Sequence, residues 1–274
     1  MDNTYHIYLI SDSTGETLER IFLALKAQFT NFHYKTNYFS FTRTENQITK
    51  ILEDCKKQKK KIILYTIVDD KLTEFLANEA KNNNIPCFSV LGDLIESFSK
   101  LLNKNALNVP SRQHILNDEY YKKIDAIQFT MNHDDGNAID DIEKSDIILI
   151  GVSRTSKTPT SIYLANKGYK VSNIPIVNKD SIPESVKKNK LKKCVIGLIA
   201  EPERLVEIRK NRMTSLKETG NQKYTNLQKI KDELENSKKT FQKFKWPTID
   251  VSRKSVEETA ASVIKILEIN RKNA

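Results

Sequence analysis

Short apolar runs alternate along this chain with stretches in which apolar residues return every three or four positions. Tyr5–Ile10 is the first run and predicts a strand. Beyond the polar turn Ser11–Thr17, the residues Leu18, Ile21, Phe22, Leu25 and Phe29 recur at helical spacing. Ser13 and Glu16 stand at capping-box spacing ahead of that helix. Lys61–Val68 predicts a buried strand, Lys71–Lys81 a helix, Pro86–Val90 a strand and Leu94–Leu102 a helix. The breaker Asn132–Asn137 and the acidic residues Asp140, Asp141 and Glu143 interrupt this rhythm, which places a domain junction there. The expected domains are 1–140 and 141–274.

The second half resumes with the run Ile147–Ile150, then a polar loop and a short helix containing Ile162, Leu164 and Ala165 that Gly168 ends. Lys170–Val177, Lys193–Ala200 and Thr248–Val251 predict further strands. A closing helix carries Val256, Ala260, Val263, Ile264 and Leu267 inward, with Ser255 and Glu258 at capping-box spacing. Tyr224–Phe244 is lysine-rich and helical in pattern, and reads as a surface excursion. Alternation of strand and helix in both halves predicts an α/β protein with parallel sheets.

The loop after Ile150 carries the strongest chemical signal. Gly151, Val152, Ser153, Arg154, Thr155, Ser156, Lys157 and Thr158 lie between a strand and a helix, the setting of a phosphate-binding loop (P-loop). Backbone amides would surround a di- or triphosphate, Lys157 would bring an ammonium to its oxygens, and the Thr158 hydroxyl would face Mg²⁺. Arg154 adds a cation suited to charge developing on a transferring phosphoryl group. Pro159 fits the first helical turn. Ser156 stands where glycine is usual, and glycine enters positive φ more freely. The second domain is therefore expected to be P-loop kinase-like, following an N-terminal α/β domain.

Composition narrows the remaining classes. The 274 residues suffice for one large core or two moderate ones. No apolar run approaches the roughly 18–20 residues that cross a bilayer, and the start Met1-Asp2-Asn3-Thr4 has no signal-like core. Cys55, Cys87 and Cys194 show no paired spacing. A cytoplasmic protein without a membrane partner is expected. The net charge of +10 comes from lysines spread along the chain, with knots at Lys56–Lys61 and Lys187–Lys193. No nucleic-acid motif accompanies them, so a solvated surface is expected rather than a nucleic-acid partner.

Other groups could act. His133, Asp134, Asp135 and Gly136 place an imidazole and two carboxylates in one turn, which could orient a hydroxyl, hold Mg²⁺ or serve only as a turn. Asp12 follows the first strand and could face a cleft at the strand ends. Ser11, Ser13 and Thr14 beside it could hold a phosphate or cap the helix. Arg204, Arg209 and Arg212 would lie within an arc of about 140° on one helix, although Leu205 and Ile208 intrude on that arc.

The stretch Gly151–Pro159, continued by Tyr163-Leu164-Ala165 and Asn173-Ile174-Pro175-Ile176-Val177, resembles the signature of the pyruvate, phosphate dikinase regulatory protein family. So do Ile10–Thr17, His133–Gly136, Ile196-Gly197-Leu198 and Trp246–Arg253, so the resemblance spans nearly the whole chain. Ser156 before the loop lysine belongs to this family's version of the loop. The resemblance implies a bifunctional enzyme that phosphorylates a threonine of the dikinase, in its histidine-phosphorylated form, using ADP and leaving AMP. It also implies removal of that phosphate by inorganic phosphate, yielding pyrophosphate. With that activity Lys157 and Arg154 would be catalytic, Thr158 would bind Mg²⁺, and Asp134 first or Asp12 second would orient the threonine hydroxyl. The same chemistry on phosphoenolpyruvate synthetase, or a small-molecule P-loop kinase, are the alternatives. Lysine-rich helices leave a homodimer open.

Overall fold

The computed structural model describes residues 4–112, 118–137, 139–177, 181–188, 193–216 and 224–272. It contains two compact units, Met1–Ile115 and Leu116–Ala274.

In the first unit the order is β1 (Tyr5–Ser11), α1 (Glu16–Lys26), β2 (Tyr34–Phe39), α2 (Glu45–Lys56), β3 (Lys61–Thr66), α3 (Asp70–Asn82), β4 (Cys87–Ser89) and α4 (Gly92–Leu102). The strands form a parallel sheet in the order β2-β1-β3-β4. Successive residues of β1 point to opposite faces and enter different cores. Tyr8 and Ile10 pack with Ile48, Ile51, Leu52 and Leu76, whereas Ile7 and Leu9 pack with Leu18 and Phe22. Both faces being covered explains why these strands read as continuous apolar runs.

β2 and α2 escaped the apolar pattern. The residues of β2 are only partly buried or exposed. The start of α2 is nevertheless written locally: Thr44 and Gln47 form a reciprocal capping box. The expected box between Ser13 and Glu16 does not form, because α1 begins two residues too late for it. Its N-cap is Gly15, at φ 86°, without a side-chain cap. Ser13 instead accepts a hydrogen bond from Ser111 (3.0 Å), and Glu16 pairs with Arg20 (3.0 Å). No residue of α4 is buried, and Leu94, Phe98, Leu101 and Leu102 are exposed.

The second unit runs α5 (Asp118–Asn132), β5 (Ile147–Gly151), α6 (Lys157–Ala165), β6 (Val171–Pro175), α7 (Glu184–Lys187), β7 (Cys194–Ile199), α8 (Pro202–Leu216), α9 (Leu227–Phe244), β8 (Thr248–Asp250) and α10 (Val256–Lys272). Its parallel sheet has the order β6-β5-β7-β8. All five residues of β5 are buried at its centre. α6 and α10 pack against each other over one core, with Leu164, Ala260 and Val263 inside. The box at the start of α10 forms as expected: Glu258 N–H donates to Ser255 Oγ (3.1 Å) and Ser255 N–H to Glu258 Oε2 (2.8 Å).

Two expectations require correction here. The junction lies between Ile115 and Leu116 rather than between residues 140 and 141. α5 is the reason, since it packs on α6 and β6; Thr130 Oγ1 accepts from Val171 N–H (3.0 Å) and Asp125 pairs with Lys170 (2.6 Å). The acidic turn thus lies inside the second unit. The lysine-rich segment before Phe244 is not an excursion either. α9 buries Ile230, Leu234, Ser237 and Phe241, and Phe241 packs over Gly197 of β7. The lysines occupy the opposite face, as an amphipathic helix requires. No helix among the described residues is long and apolar enough to cross a membrane.

Candidate active site

β5 delivers the chain to the carboxyl edge of the sheet, and Gly151 lets it double back there. A Cβ at Gly151 would stand 2.7 Å from both Leu198 O and Thr155 Oγ1. The loop then adopts left-handed backbone at Arg154 (φ 73°) and at Ser156 (φ 57°). Each such non-glycine residue costs roughly 1–2 kcal/mol. Internal bonds hold the conformation: the Val152 carbonyl accepts from buried Thr155 Oγ1 (2.9 Å) and from Lys157 Nζ (2.9 Å). Serine at position 156 therefore adopts the backbone that glycine would favour. α6 starts at the next residue with no side-chain cap, which leaves first-turn amides for an anion.

Lys157 is buried. Burial pulls its pKa down from 10.5 to about 8, against the opposing pull of the Asp135 and Asp134 carboxylates; Arg154 and Arg209 lower it further. A cation held in so dry a position lacks a full counter-charge. Beside it is a cavity of about 280 Å³, lined by Asp135, Ser153, Arg154, Ser156, Lys157 and Thr158 among others.

The turn between α5 and β5 supplies a carboxylate to this loop. Asp134 Oδ1 accepts from Thr158 Oγ1 (3.0 Å) and from Asn173 Nδ2, which also lies 3.1 Å from Thr158 Oγ1. Asn173 lies on β6, and its backbone N–H donates to the His133 carbonyl (3.0 Å), which ties the turn to the sheet. Asp134 therefore lies against the loop through its bond to Thr158, and Asn173, to which no role was assigned, bonds both. Only its position in the register, opposite Leu149, reveals it. Asp135, at φ 51°, lines the cavity. His133 turns away: its ring stacks on Phe129 and its Nδ1 donates to Phe129 O (2.8 Å).

The three arginines do not form a common face. Arg204 and Arg212 are exposed, and Arg209 is buried. Arg209 pairs with Glu233 of α9 (2.7 Å), donates to Ser153 O (3.3 Å) and to Tyr224 O (3.1 Å), and lies over the Tyr224 ring. The Tyr224 hydroxyl in turn contacts Ser153 Oγ (3.0 Å) and Arg154 Nε (3.3 Å). Burial raises the pKa of that hydroxyl, but its bonds to Ser153 and Arg154, with the charges of Arg154 and Arg209, bring it below the ordinary value. No sequence signal marked Tyr224 or Glu233.

Asp12 lies in the first unit and lines a different cavity, with Ser11, Ser13, Thr17 and Thr66. Its Oδ2 accepts from Val68 N–H (2.8 Å). Burial raises its pKa, against the lowering effect of that bond and of Arg43.

Among the described residues no three His, Cys, Asp or Glu side chains cluster as a metal site. The donors that converge on the loop are all oxygens, from Thr158, Asp134 and Asp135. One or two carboxylates with a hydroxyl suit Mg²⁺, which completes its shell with water and phosphate oxygens.

The model of the kinase/pyrophosphorylase family matches residues 7–264. The chain belongs to that family. It is 66% identical over 273 residues to a protein of Pelagibacter ubique, each chain being covered completely. It is 42% identical to one of Sphingopyxis alaskensis, covering 96% of this chain and 97% of that one. A Bradyrhizobium protein is 40% identical over 96% of this chain and 94% of its own. All three carry the provisional name pyruvate, phosphate dikinase regulatory protein. As a kinase/pyrophosphorylase the chain is a transferase, and its α/β architecture of two parallel sheets agrees with that expected from the sequence.

Proposed function

We propose that this kinase/pyrophosphorylase transfers the β-phosphoryl group of ADP to a threonine of pyruvate, phosphate dikinase, leaving AMP. In the other direction inorganic phosphate attacks the phosphothreonine, which regenerates the hydroxyl and releases pyrophosphate. The names of the relatives favour the dikinase as target. The observation that carries the reading is the juxtaposition of buried Lys157 with Thr158 on one cavity, the Thr158 hydroxyl being bonded to Asp134 and Asn173 behind it.

Each group has a distinct task. The first-turn amides of α6 and the Lys157 ammonium bind phosphate oxygens, and Arg154 neutralises charge that develops on the transferring group. Asp134 accepts a hydrogen bond from a hydroxyl in the free protein, and the same oxygen can orient the hydroxyl of a substrate threonine. Asn173 fixes the carboxylate for that task. Thr158, Asp134 and Asp135 would hold Mg²⁺, whose charge offsets that of the phosphates when bound. Phosphoryl transfer passes through a loose transition state, so positioning and charge neutralisation matter more than a strong base.

The test is incubation with histidine-phosphorylated dikinase and ADP, with the products read by mass spectrometry. Phosphothreonine on the dikinase and stoichiometric AMP are expected. Later addition of inorganic phosphate should return the threonine and release pyrophosphate. Absence of phosphothreonine in the presence of bound ADP would refute the assignment of the target.

A further inference from the structure

Tyr224 stands at the join of two structures that the proposed chemistry uses only in part. On one side is the buried Arg209, whose charge is paired with Glu233 at 2.7 Å and whose terminal nitrogens also donate to the carbonyls of Tyr224 and Ser153. A buried guanidinium is costly unless its bonds are well made. Here those bonds fix two main-chain points, one in the phosphate loop and one at residue 224. On the other side is Arg154, whose backbone is left-handed and whose side chain lines the loop cavity.

The Tyr224 hydroxyl bridges the two. Arg154 Nε donates to it at 3.3 Å, and it shares a hydrogen bond with Ser153 Oγ at 3.0 Å. This contact engages Nε of Arg154 and leaves its two terminal nitrogens for an anion in the cavity. An unrestrained arginine would have to give up rotamer freedom each time it met a ligand. Held by Nε, it has lost much of that freedom in advance. The ring of Tyr224 is itself fixed, 4.7 Å from the Arg209 guanidinium.

We propose that Tyr224 is a positioning residue which, braced by the Arg209–Glu233 pair, aims Arg154 at the phosphate groups of the bound nucleotide. The inference rests on the reading of Gly151–Thr158 as the nucleotide site. It adds a residue from outside every loop motif, and it assigns Arg209 to bracing rather than to contact with ligand.

The experiment is a double-mutant cycle on the full chain, with ADP and Mg²⁺ affinity measured by titration calorimetry. Tyr224→Phe keeps the ring on Arg209 and deletes only the hydroxyl, so its melting temperature checks that the fold is retained. Loss of the hydroxyl should weaken ADP about 5-fold, the worth of an ordinary hydrogen bond. Arg154→Ala should weaken it about 10-fold or more, as loss of a charged contact does. In the Arg154→Ala background, Tyr224→Phe should have no further effect, because the hydroxyl acts through the missing guanidinium. Multiplying effects, or wild-type affinity in Tyr224→Phe, would overturn the inference and leave the nucleotide site standing. Failure of the wild-type protein to bind ADP would instead overturn the nucleotide site, and the inference with it.

Discussion

The two units present the same device with different chemistry. In each, the first strand of a parallel sheet lies between the second and the third, the arrangement that opens a crevice at the carboxyl edge. In each, a polar turn leaves that strand, passes through a left-handed residue and enters an uncapped helix, at Gly15 in one and Ser156 in the other. The next residue separates them. Glu16 is exposed and paired with Arg20, whereas Lys157 is buried under the loop. The carboxylates differ too: Asp12 is held by the Val68 amide, and Asp134 by the loop threonine and Asn173. Topology thus creates a helix start at the strand ends twice, and a buried cation stands beside the second.

The largest effect should follow from removing that cation. Lys157→Met is expected to reduce transfer in both directions by about 10³-fold, the scale of losing a preorganised charge. The same variant should be more stable. Lys157 has a folded pKa near 8, below its unfolded value of 10.5, so its buried charge is a full cost up to about pH 8 that fades as pH rises towards 10.5. Thermal melts should show Lys157→Met above wild type at neutral pH, with the gap narrowing through that alkaline window. Calorimetry should find one ADP per chain in wild type and none in the variant. Binding by the variant would locate a second anion site, and the asymmetry between the units would be lost.

A smaller effect is expected at the carboxylate. Asp134→Asn should slow transfer about 10²-fold, within the range for a lost general base or orienting group, while ADP affinity changes little. Equal losses in rate and affinity would mean that Asp134 organises the loop rather than the acceptor hydroxyl.

Asp12→Asn should have the least effect on activity, leaving ADP affinity and transfer at wild-type values. Its mark should be on stability. Burial raises the folded pKa of Asp12, so its contribution is present at low pH and is lost as pH rises through the folded value. The asparagine variant should therefore lose less melting temperature than wild type between acidic and neutral pH. A fall in ADP affinity would instead bring the first turn into the site.

The legibility of the strands followed their apolar runs, since even β4, an edge strand with no buried residue, was marked by Pro86–Val90. Strands β1, β3, β5 and β7 sit inside their sheets and were plain as apolar runs; β2, at an edge and with no fully buried residue, left no such pattern. α9 was legible as a helix but not as part of the core, because eighteen residues rich in lysine conceal four that are buried. The loop Gly151–Thr158 could be read because its chemistry is contiguous. Asp134 was within reach of reading as a candidate, but its partner Asn173 lies 39 positions away and meets it only across the β5–β6 pairing.

The sequence alone determined the alternation of elements, the family and the contiguous make-up of the loop Gly151–Thr158, since each rests on neighbours in the chain or on spacing along one element. Tertiary structure decided where the units divide, which of three arginines is buried, and that Tyr224 and Glu233 stand behind the loop. Those outcomes depend on which helix faces meet. Arg209 enters the core where a distant carboxylate and distant carbonyls accept from its terminal nitrogens, and local spacing does not record that meeting.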